Sequence, residues 1–212
     1  MNTFTPLYNY GYIVDDVPAN ILDELKKETD YIQSDFTKHL RYNPLLAGRI
    51  ENEYFLEKTN LIEPYVIELC KDLHNKTFPN YDGPSPRFKF SNNRSGKSDL
   101  WVNFQKKYEY NPRHSHSGFF SFVIWLKVPF NLEDEMNVKS NKEANTSSPG
   151  FNFSFVDHCI PGGISTKYIP VDKKYEGKIC IFPAWLNHNV DPFFTSDDYR
   201  ISISGNIDAL PQ

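Results

Sequence analysis

The chain has 212 residues, of which 39% are hydrophobic and 24% are charged, and its formal net charge is −4. This composition is ordinary for a globular protein, and the chain is long enough for one sizeable hydrophobic core. The basic residues form no long run, which argues against nucleic acid as a partner because phosphate binding needs a basic surface. No apolar run approaches the roughly 20 residues of a membrane helix, so we expect no membrane partner.

Three widely spaced cysteines, Cys70, Cys159 and Cys180, form no C-x-x-C pair. This pattern excludes a zinc ribbon or a thioredoxin motif and indicates reduced thiols. The first residues lack the basic and apolar regions of a signal peptide. We therefore expect a cytoplasmic protein.

Two helices are predicted in the first part of the chain. The first has Asp15 or Asp16 as a capping candidate and Pro18 in its first turn, and the second has Asn60 as its capping candidate. The residues before the first helix mix aromatic residues with Gly and Pro, which is typical of an extended arm or an edge strand. Between the helices, residues 34–58 contain a Gly and a Pro and predict a broken helix and a loop.

From Phe88 onward the pattern changes to alternating and short apolar runs that predict seven strands. Residues 131–149 are polar and poor in aromatics, which is typical of a long exposed loop. Helices first and strands second indicate an α+β, mainly β fold in which helices cover one face of an antiparallel sandwich or barrel. We treat residues 1–212 as a single domain with a helical and arm region at 1–87 and a β core at 88–212.

Two imidazoles, those of His114 and His116, lie one residue apart in a region of predicted strands. Residues i and i+2 of a strand point to the same face, so both rings could reach one metal ion. His188 is the best candidate for a third ligand, because it lies at the end of one predicted apolar strand, I-C-I-F-P-A-W-L-N-H. Imidazole suits iron, zinc, copper and nickel. The spacing predicts a mononuclear metal site and leaves open the alternative of unrelated surface histidines.

A possible carboxylate site follows in the sequence R-I-S-I-S, where Arg200 and Ser202 share one face of a predicted strand. A guanidinium can bind a carboxylate through two hydrogen bonds, and a hydroxyl can donate a third. A strand, a turn and a returning strand would bring Arg200 close to His188. The alternative is a surface arginine paired with Asp197 or Asp198, which would add little to stability.

Five motifs together resemble those of the 2-oxoglutarate and iron(II)-dependent oxygenases. They are W-x-N, H-x-H, S-x-x-x-W, G-K-I-x-I-F-P-x-W-L-x-H-x-V and R-I-S-I-x-x-N. The chain looks most like small, prolyl-hydroxylase-like oxygenases of bacterial and phage genomes. The motifs cover residues 98–208, and the N-terminal half resembles the family only in its general organisation. The resemblance implies a double-stranded β-helix (a cupin-like jelly roll) with N-terminal helices packed on the outer sheet.

The resemblance also implies roles for individual residues. His114, His116 and His188 fall on the iron-ligand positions, and Arg200 and Ser202 fall on the positions that bind the distal carboxylate of 2-oxoglutarate. Members of this family use iron(II), 2-oxoglutarate and O2 to hydroxylate a C–H bond, and release succinate and carbon dioxide.

Further positions are implied around the same pocket. Asn103 falls where this group often places a co-substrate contact, and Asn206 is expected to line the same pocket. Trp101, Trp125 and Trp185 are expected to pack the barrel. The polar loop 131–149 and the segment 157–166 would border the pocket mouth, with Asp157 and His158 as weaker candidate ligands.

The first ligand pair departs from the family pattern. Most members have Asp or Glu two residues after the first histidine, where this chain has His116. Three neutral histidines leave the metal one negative charge poorer, which weakens iron binding. In a second alignment His116 is the first ligand and Gly118 replaces the acid, as in iron halogenases. The remaining interpretation is that the chain has lost metal binding and catalysis.

The implied function is a hydroxylase acting on an unidentified peptide, protein or small molecule. Two other functions remain open: a cupin-like three-histidine metalloenzyme that does not use 2-oxoglutarate, and a non-catalytic accessory protein that retains the barrel. Arg200 and Ser202 discriminate between the first two, since only the first needs their carboxylate pocket. If a phage encodes the chain, its location would be the host cytoplasm. The sequence predicts no oligomeric state.

Overall fold

The computed structural model of the chain describes residues 11–57, 59–84, 86–92, 96–138, 141, 149–156 and 163–210. The helices are α1 (Ala19–Ser34), α2 (Thr59–Thr77) and the short α3 (Leu132–Met136). The strands are β1 (Ile13–Asp16), β2 (Asn52–Phe55), β3 (Arg87–Phe90), β4 (Leu100–Gln105), β5 (Asn111–His114), β6 (Phe120–Lys127), β7 (Phe151–Val156), β8 (Ile164–Ile169), β9 (Lys178–Pro183), β10 (Asn187–Val190) and β11 (Arg200–Leu210). No helix in these ranges is both long and apolar enough to cross a membrane.

The strands form two antiparallel sheets. The larger sheet has the order β1-β9-β6-β11-β4-β2, with β3 also paired to β11, and the smaller has the order β5-β10-β7-β8. Strands that are neighbours in sequence are often separated in space, so the chain passes repeatedly between the two sheets. The prediction of a mainly β chain with few helices is therefore confirmed.

The alternation of β11 divides the interior into two apolar regions. Ile201, Ile203 and Ile207 point to one face and share a cluster with Leu25 of α1 and Val66 of α2. Fully burying one such side chain stabilises the fold by about 2 kcal/mol. A second, largely aromatic cluster contains residues of both sheets. The opposite face of β11 carries polar residues toward this second region, and the candidate site lies there.

The N-terminal region differs from its prediction. Residues 34–58 contain β2, which pairs with β4 and buries Tyr54 (3% exposed). Its sequence N-E-Y-F has only two apolar residues, so pairing with the larger sheet, rather than local pattern, creates the strand. The cap predictions are wrong: Asp15 and Asp16 belong to β1, and Pro18 itself is the N-cap of α1. Asn60 lies inside α2, which begins one residue earlier.

The predicted single strand I-C-I-F-P-A-W-L-N-H is in fact two strands. β9 ends at Pro183, a turn follows in which the Leu186 N–H donates to the Pro183 carbonyl (3.0 Å), and β10 begins at Asn187. Proline cannot donate to the ladder, which favours ending a strand there. The turn moves the chain from the larger to the smaller sheet. Trp185 lies on it and is 49% exposed, so its predicted packing inside the barrel is wrong.

The predicted exposed loop 131–149 contains an ordered element, α3. Glu135 is fully buried there, and its carboxylate accepts hydrogen bonds from the backbone N–H groups of Phe194 and Thr195 and from the Thr195 hydroxyl. These charge-assisted bonds fix the segment that precedes Arg200. A loop reading missed them because the partners lie about 60 residues away in sequence.

A buried acid on β2 makes the stability of the fold pH-dependent. Glu53 is fully buried, its Oε2 accepts from Asn43 Nδ2 (2.9 Å) and its Oε1 has no partner. Burial, and secondarily the charge of Glu109, raise the pKa of Glu53 to about 8. The folded protein therefore keeps this proton at neutral pH, whereas the unfolded chain loses it above about pH 4.5. The contribution of Glu53 to the stability of the fold is therefore fully present below pH 4.5 and is lost as the pH rises toward 8.

We expect Glu53→Gln to stabilise the fold by on the order of 2 kcal/mol at pH 7.5 and by much less at pH 4, because glutamine cannot ionise. Urea denaturation at both pH values measures this difference. Glu57→Gln, at an exposed position nearby, serves as the control. An equal effect of Glu53→Gln at both pH values would show that its carboxyl does not titrate as described.

Candidate metal centre and anion pocket

Three histidines converge between the two sheets. His114 ends β5 and lies directly opposite His188 of β10 in the antiparallel register, while His116 follows two residues after the strand. One ligand nitrogen from each ring lies within 4.8 Å of the others. The ring centroids are 4.3 Å apart for His114 and His188, and 4.9 and 5.0 Å for the pairs with His116. The predicted convergence of these side chains is therefore present in the fold.

The structural reason for the position of His116 differs from the predicted one. His116 does not share a strand face with His114, because β5 has already ended. Its position is fixed instead by its backbone N–H, which donates to the carbonyl of Ala184 in the turn between β9 and β10 (2.8 Å). The turn that carries the chain toward His188 therefore also anchors the second histidine.

Backbone carbonyls orient two of the three rings. His114 Nδ1 lies 2.6 Å from the Pro112 carbonyl oxygen, and His188 Nδ1 lies 2.9 Å from the Leu186 carbonyl oxygen. A carbonyl only accepts, so the proton of each neutral ring resides on Nδ1 and the Nε2 lone pair remains free. Such orientation of the second nitrogen is typical of metal-binding histidines.

The electrostatics also suit a cation. Burial lowers the pKa of all three imidazoles: that of His116 falls to about 3, with a further contribution from His114, and that of His188 falls well below its ordinary value. All three rings are therefore neutral at pH 7, so no proton competes with a metal. Three neutral imidazoles with two oriented Nε2 atoms fit a divalent transition metal such as iron(II).

Arg200 is a buried cation that forms no salt bridge with a described residue, although the negative charges of Asp191 and Glu135 act to raise its pKa. Its side chain is 3% exposed, and its Nε and Nη2 both donate to Gln105 Oε1 (3.1 and 2.6 Å), while Nη2 also donates to the Asp191 carbonyl oxygen (2.9 Å). The rings of Phe193 and Phe130 lie 5.6 and 5.8 Å from the guanidinium carbon. Burial lowers its pKa to about 10, so it remains charged at pH 7. Within the described ranges, no carboxylate lies within 4.0 Å of it.

The alternative of a surface ion pair for Arg200 is wrong. Asp197 pairs with Lys107 (2.5 Å) and Asp198 pairs with Lys127 (3.2 Å). A buried charge is costly when it has no ion-pair partner. The hydrogen-bond acceptors of Arg200 among the described residues are neutral, so its charge is available to pair with a ligand anion.

One cavity, which we call the metal cavity, joins the histidines to Arg200. It is lined by the three histidines and by polar side chains of β4 and β11, namely Asn103, Gln105, Arg200, Ser202 and Ser204. Asn103 Nδ2 donates to the Ser202 hydroxyl (3.3 Å), and Trp101 Nε1 donates to Asn103 Oδ1 (3.2 Å). Trp101 and Trp125 are both buried and form part of the wall. Six of the seven predicted site residues therefore meet in one cavity.

Asn206 is the exception. It lies in a neighbouring cavity, where its Nδ2 donates to Asp99 and its Oδ1 accepts from the Ser121 hydroxyl (2.7 Å). These two bonds hold its amide away from Arg200, so its predicted place in the co-substrate pocket is wrong. Gly118 also lies outside the metal cavity: its φ is +100°, and a Cβ there would meet the Ile207 carbonyl oxygen at 3.1 Å. The geometry thus favours the three-histidine set over the alignment with Gly118.

The sequence reasoning missed Gln105, which holds the guanidinium. Period two along β4 could have found it, because Trp101, Asn103 and Gln105 alternate on one face. The Asp191 carbonyl and Phe193 have no comparable signal. The weaker candidates Asp157 and His158, together with Cys159, lie outside the described residues. So do residues 139, 140, 142–148 and 157–162 of the two segments predicted to border the pocket mouth.

Comparisons with known proteins concern the family and the fold of the chain. The sequence profile of a family described as "Putative 2OG-Fe(II) oxygenase" matches residues 99–206, over half of the chain. A crystal structure of a Pseudomonas putida prolyl-4-hydroxylase superposes with a TM-score of 0.54 at 12% identity, covering 96% of this chain and 94% of that one. A 2OG-Fe(II) oxygenase family oxidoreductase from Burkholderia pseudomallei gives 0.50 at 12% identity, covering 93% and 84%. No curated protein sequence matches significantly.

Proposed function

Because the chain belongs to the 2OG-Fe(II) oxygenase family, we propose that it is an iron(II)- and 2-oxoglutarate-dependent dioxygenase that hydroxylates a substrate. The co-products are succinate and carbon dioxide. We also infer that its two sheets form a double-stranded β-helix with α1 and α2 on the outer face of the larger sheet. The likeness to the prolyl-4-hydroxylase supports the fold, and a peptide, protein or small molecule remains open as substrate.

The observation that carries the proposal is the buried Arg200, which has no salt-bridge partner among the described residues, in the same cavity as three neutral histidines. Neither feature alone is specific, since a three-histidine site suits several metals. Their combination requires a ligand that offers a carboxylate at one end and metal-binding oxygens at the other. 2-Oxoglutarate has this bifunctional form, whereas a cupin-like enzyme without this co-substrate has no use for Arg200.

Each residue of the metal cavity has a proposed task. His114, His116 and His188 would hold iron(II), and Arg200 with Ser202 would bind the distal carboxylate of 2-oxoglutarate. Asn103 fixes the Ser202 hydroxyl through its amide and orients it toward the cavity. When bound, iron(II) with 2-oxoglutarate and O2 supplies the oxidising chemistry.

The chain's own contribution is orientation and exclusion of water. Gln105 and the Asp191 carbonyl accept hydrogen bonds from Arg200 and keep its fork in one direction before a ligand binds. Phe130 and Phe193 cover the guanidinium and exclude water, which strengthens its attraction for a carboxylate. The Nδ1–H groups of His114 and His188 donate hydrogen bonds to backbone carbonyls, which keeps both Nε2 atoms directed to the metal position.

The test is an anaerobic titration of the metal-free protein with iron(II) and then with 2-oxoglutarate. We expect a weak visible metal-to-ligand charge-transfer band to appear only after the second addition, with one equivalent of each bound. Succinate, which lacks the keto group, is the matched control and is expected to give no band. Iron binding without the band would favour the cupin-like alternative, and no metal binding would favour the non-catalytic one.

A further inference from the structure

A second cavity of about 590 Å³ adjoins the metal cavity. The two share His116 and Trp101 as wall residues. Its size lies within the range of roughly 300–1,000 Å³ that is usual for small-molecule sites. Neither the metal nor 2-oxoglutarate needs this space, so a further molecule bound there would lie next to a proposed iron ligand.

Two carboxylates, those of Asp99 and Asp208, line the second cavity, and neither forms a salt bridge with a described residue. Asp99 Oδ2 accepts from Asn206 Nδ2 (2.5 Å), and Asp208 Oδ1 accepts from the Ser91 hydroxyl (2.7 Å). The other oxygen of each carboxylate has no hydrogen-bond partner among the described residues, and no described Lys or Arg lies within 4.0 Å of either. Burial raises the pKa of Asp99, the hydrogen bond from Asn206 opposes this rise, and the charge of Asp208 adds to it. A cation bound between the two acids would relieve this repulsion.

Part of the wall of the second cavity is aromatic and is formed by Tyr42 and Trp101. Tyr42 is only 2% exposed, and its hydroxyl finds no hydrogen-bond partner in the part of the chain that the structure describes. Its ring stacks on Trp101 with the centroids 5.0 Å apart and the planes 20° from parallel. A hydroxyl without a protein partner is free to hydrogen-bond to a ligand in the cavity that Tyr42 lines. Aromatic faces beside carboxylates are a surface that attracts ammonium and guanidinium groups.

The polar face of β11 connects the two cavities and changes sign along its length. Arg200, Ser202 and Ser204 line the metal cavity, whereas Asn206 and Asp208 line the second one. At about 3.3 Å per residue, the guanidinium and the last carboxylate are roughly 26 Å apart along the strand. A dianion such as 2-oxoglutarate is therefore attracted to one end and repelled from the other. The two cavities sort their ligands by charge.

We propose that the second cavity binds the substrate through an ammonium or guanidinium group, which Asp99 and Asp208 neutralise and which Tyr42 and Trp101 contact. The inference rests on the proposed function, because the molecule held there is the one oxidised at the neighbouring metal. The uncharged remainder of the substrate lies along Trp101 toward His116. A free amine and a lysine or arginine side chain of a peptide share this chemistry.

Calorimetry on the 212-residue chain loaded anaerobically with iron(II) and 2-oxoglutarate tests the proposal. The probes are pentylamine, as a free amine, and N-acetyl-lysine N-methylamide, as a peptide side chain. Their uncharged counterparts are pentanol and N-acetyl-norleucine N-methylamide. At low salt we expect at least one cationic probe to bind about tenfold or more tightly than its counterpart. The probe with the larger preference identifies the source of the cation.

Matched variants separate the site from general electrostatic attraction. Asp99→Asn combined with Asp208→Asn should abolish the preference for the cation, whereas Asp134→Asn, an exposed position on α3, should preserve it. Tyr42→Phe removes only the hydroxyl and should weaken the cationic probe several-fold, a result independent of the two acids. Thermal unfolding of each variant verifies the fold.

The proposal is overturned if neutral and cationic probes bind alike, or if the double variant retains the preference. The binding of 2-oxoglutarate, measured on the same samples, distinguishes the two levels of failure. Normal co-substrate binding without cation preference removes only this inference. Cation preference without co-substrate binding removes the proposed dioxygenase function and leaves the cation site.

Discussion

Replacing His188 with alanine is expected to weaken iron(II) binding by well over 100-fold. His188 is 3% exposed, its Nδ1 is held by the Leu186 carbonyl, and its Nε2 is directed to the other two rings. Changes in groups that merely support a ligand already cost roughly 10–100-fold in metal affinity, and loss of a ligand removes a bond directly. Anaerobic competition with a chromophoric chelator measures the affinity.

His39→Ala is the matched control, because His39 packs edge-on against Tyr31 and does not line the metal cavity. His188→Gln keeps most of the side-chain volume between Phe151, Phe153 and Phe182, so a loss of iron(II) affinity in this variant would not be explained by a cavity in the core. His116→Asp should have the opposite effect and tighten iron binding, since a carboxylate supplies the negative charge that the three histidines lack. Wild-type affinity in His188→Ala would refute the assignment of this residue as a ligand.

The candidate ligands could be predicted from the sequence because their signals are local. His114 and His116 are two residues apart, and R-I-S-I-S alternates in a way that places Arg200 and Ser202 on one face whatever the surrounding fold. The metal cavity contains them for this reason. The fact that β5 ends before His116 did not matter, because a backbone bond to Ala184 brings the ring to the same place.

The features that the sequence did not predict depend on contacts between distant segments. β2 exists through its pairing with β4, and the turn after Pro183 exists because the chain changes sheets there. Asn206 has the same spacing on β11 as the predicted pocket residues, yet Asp99 and Ser121 bind its amide in the second cavity. Periodicity indicates the face of a strand and carries no information on which cavity that face meets at each position.

The environment of Arg200 shows how such distant contacts determine a binding site. Gln105 lies 95 residues away in sequence, and α3 fixes the backbone of Phe194 and Thr195 through Glu135, which holds the segment containing Phe193 over the guanidinium. A lone arginine in a sequence is usually a surface residue. Here three separate segments bury it and place only neutral groups in hydrogen-bonding contact with it, which makes it a receptor for an anion.

We therefore expect Arg200→Lys to raise the dissociation constant of 2-oxoglutarate by about 10-fold to 150-fold while leaving iron(II) affinity unchanged. Lysine retains the positive charge but lacks the planar fork that binds a carboxylate through two hydrogen bonds. A hydrogen bond to a charged group contributes roughly 1.5–3 kcal/mol, so loss of one arm of the two-bond contact corresponds to about 10-fold to 150-fold. The charge-transfer band, titrated with 2-oxoglutarate at constant iron(II), measures the dissociation constant.

Two further variants give this prediction a graded form. Ser202→Ala removes one neutral donor and should cost only several-fold in 2-oxoglutarate affinity, because a single hydrogen bond contributes about 1 kcal/mol. Arg87→Ala, at an exposed position on β3, should cost nothing. A parallel loss of iron(II) affinity in Arg200→Lys would indicate a disturbed cavity instead of a lost carboxylate contact. Unchanged 2-oxoglutarate affinity would mean that the buried guanidinium serves another anion, and the dioxygenase proposal would lose the observation that carries it.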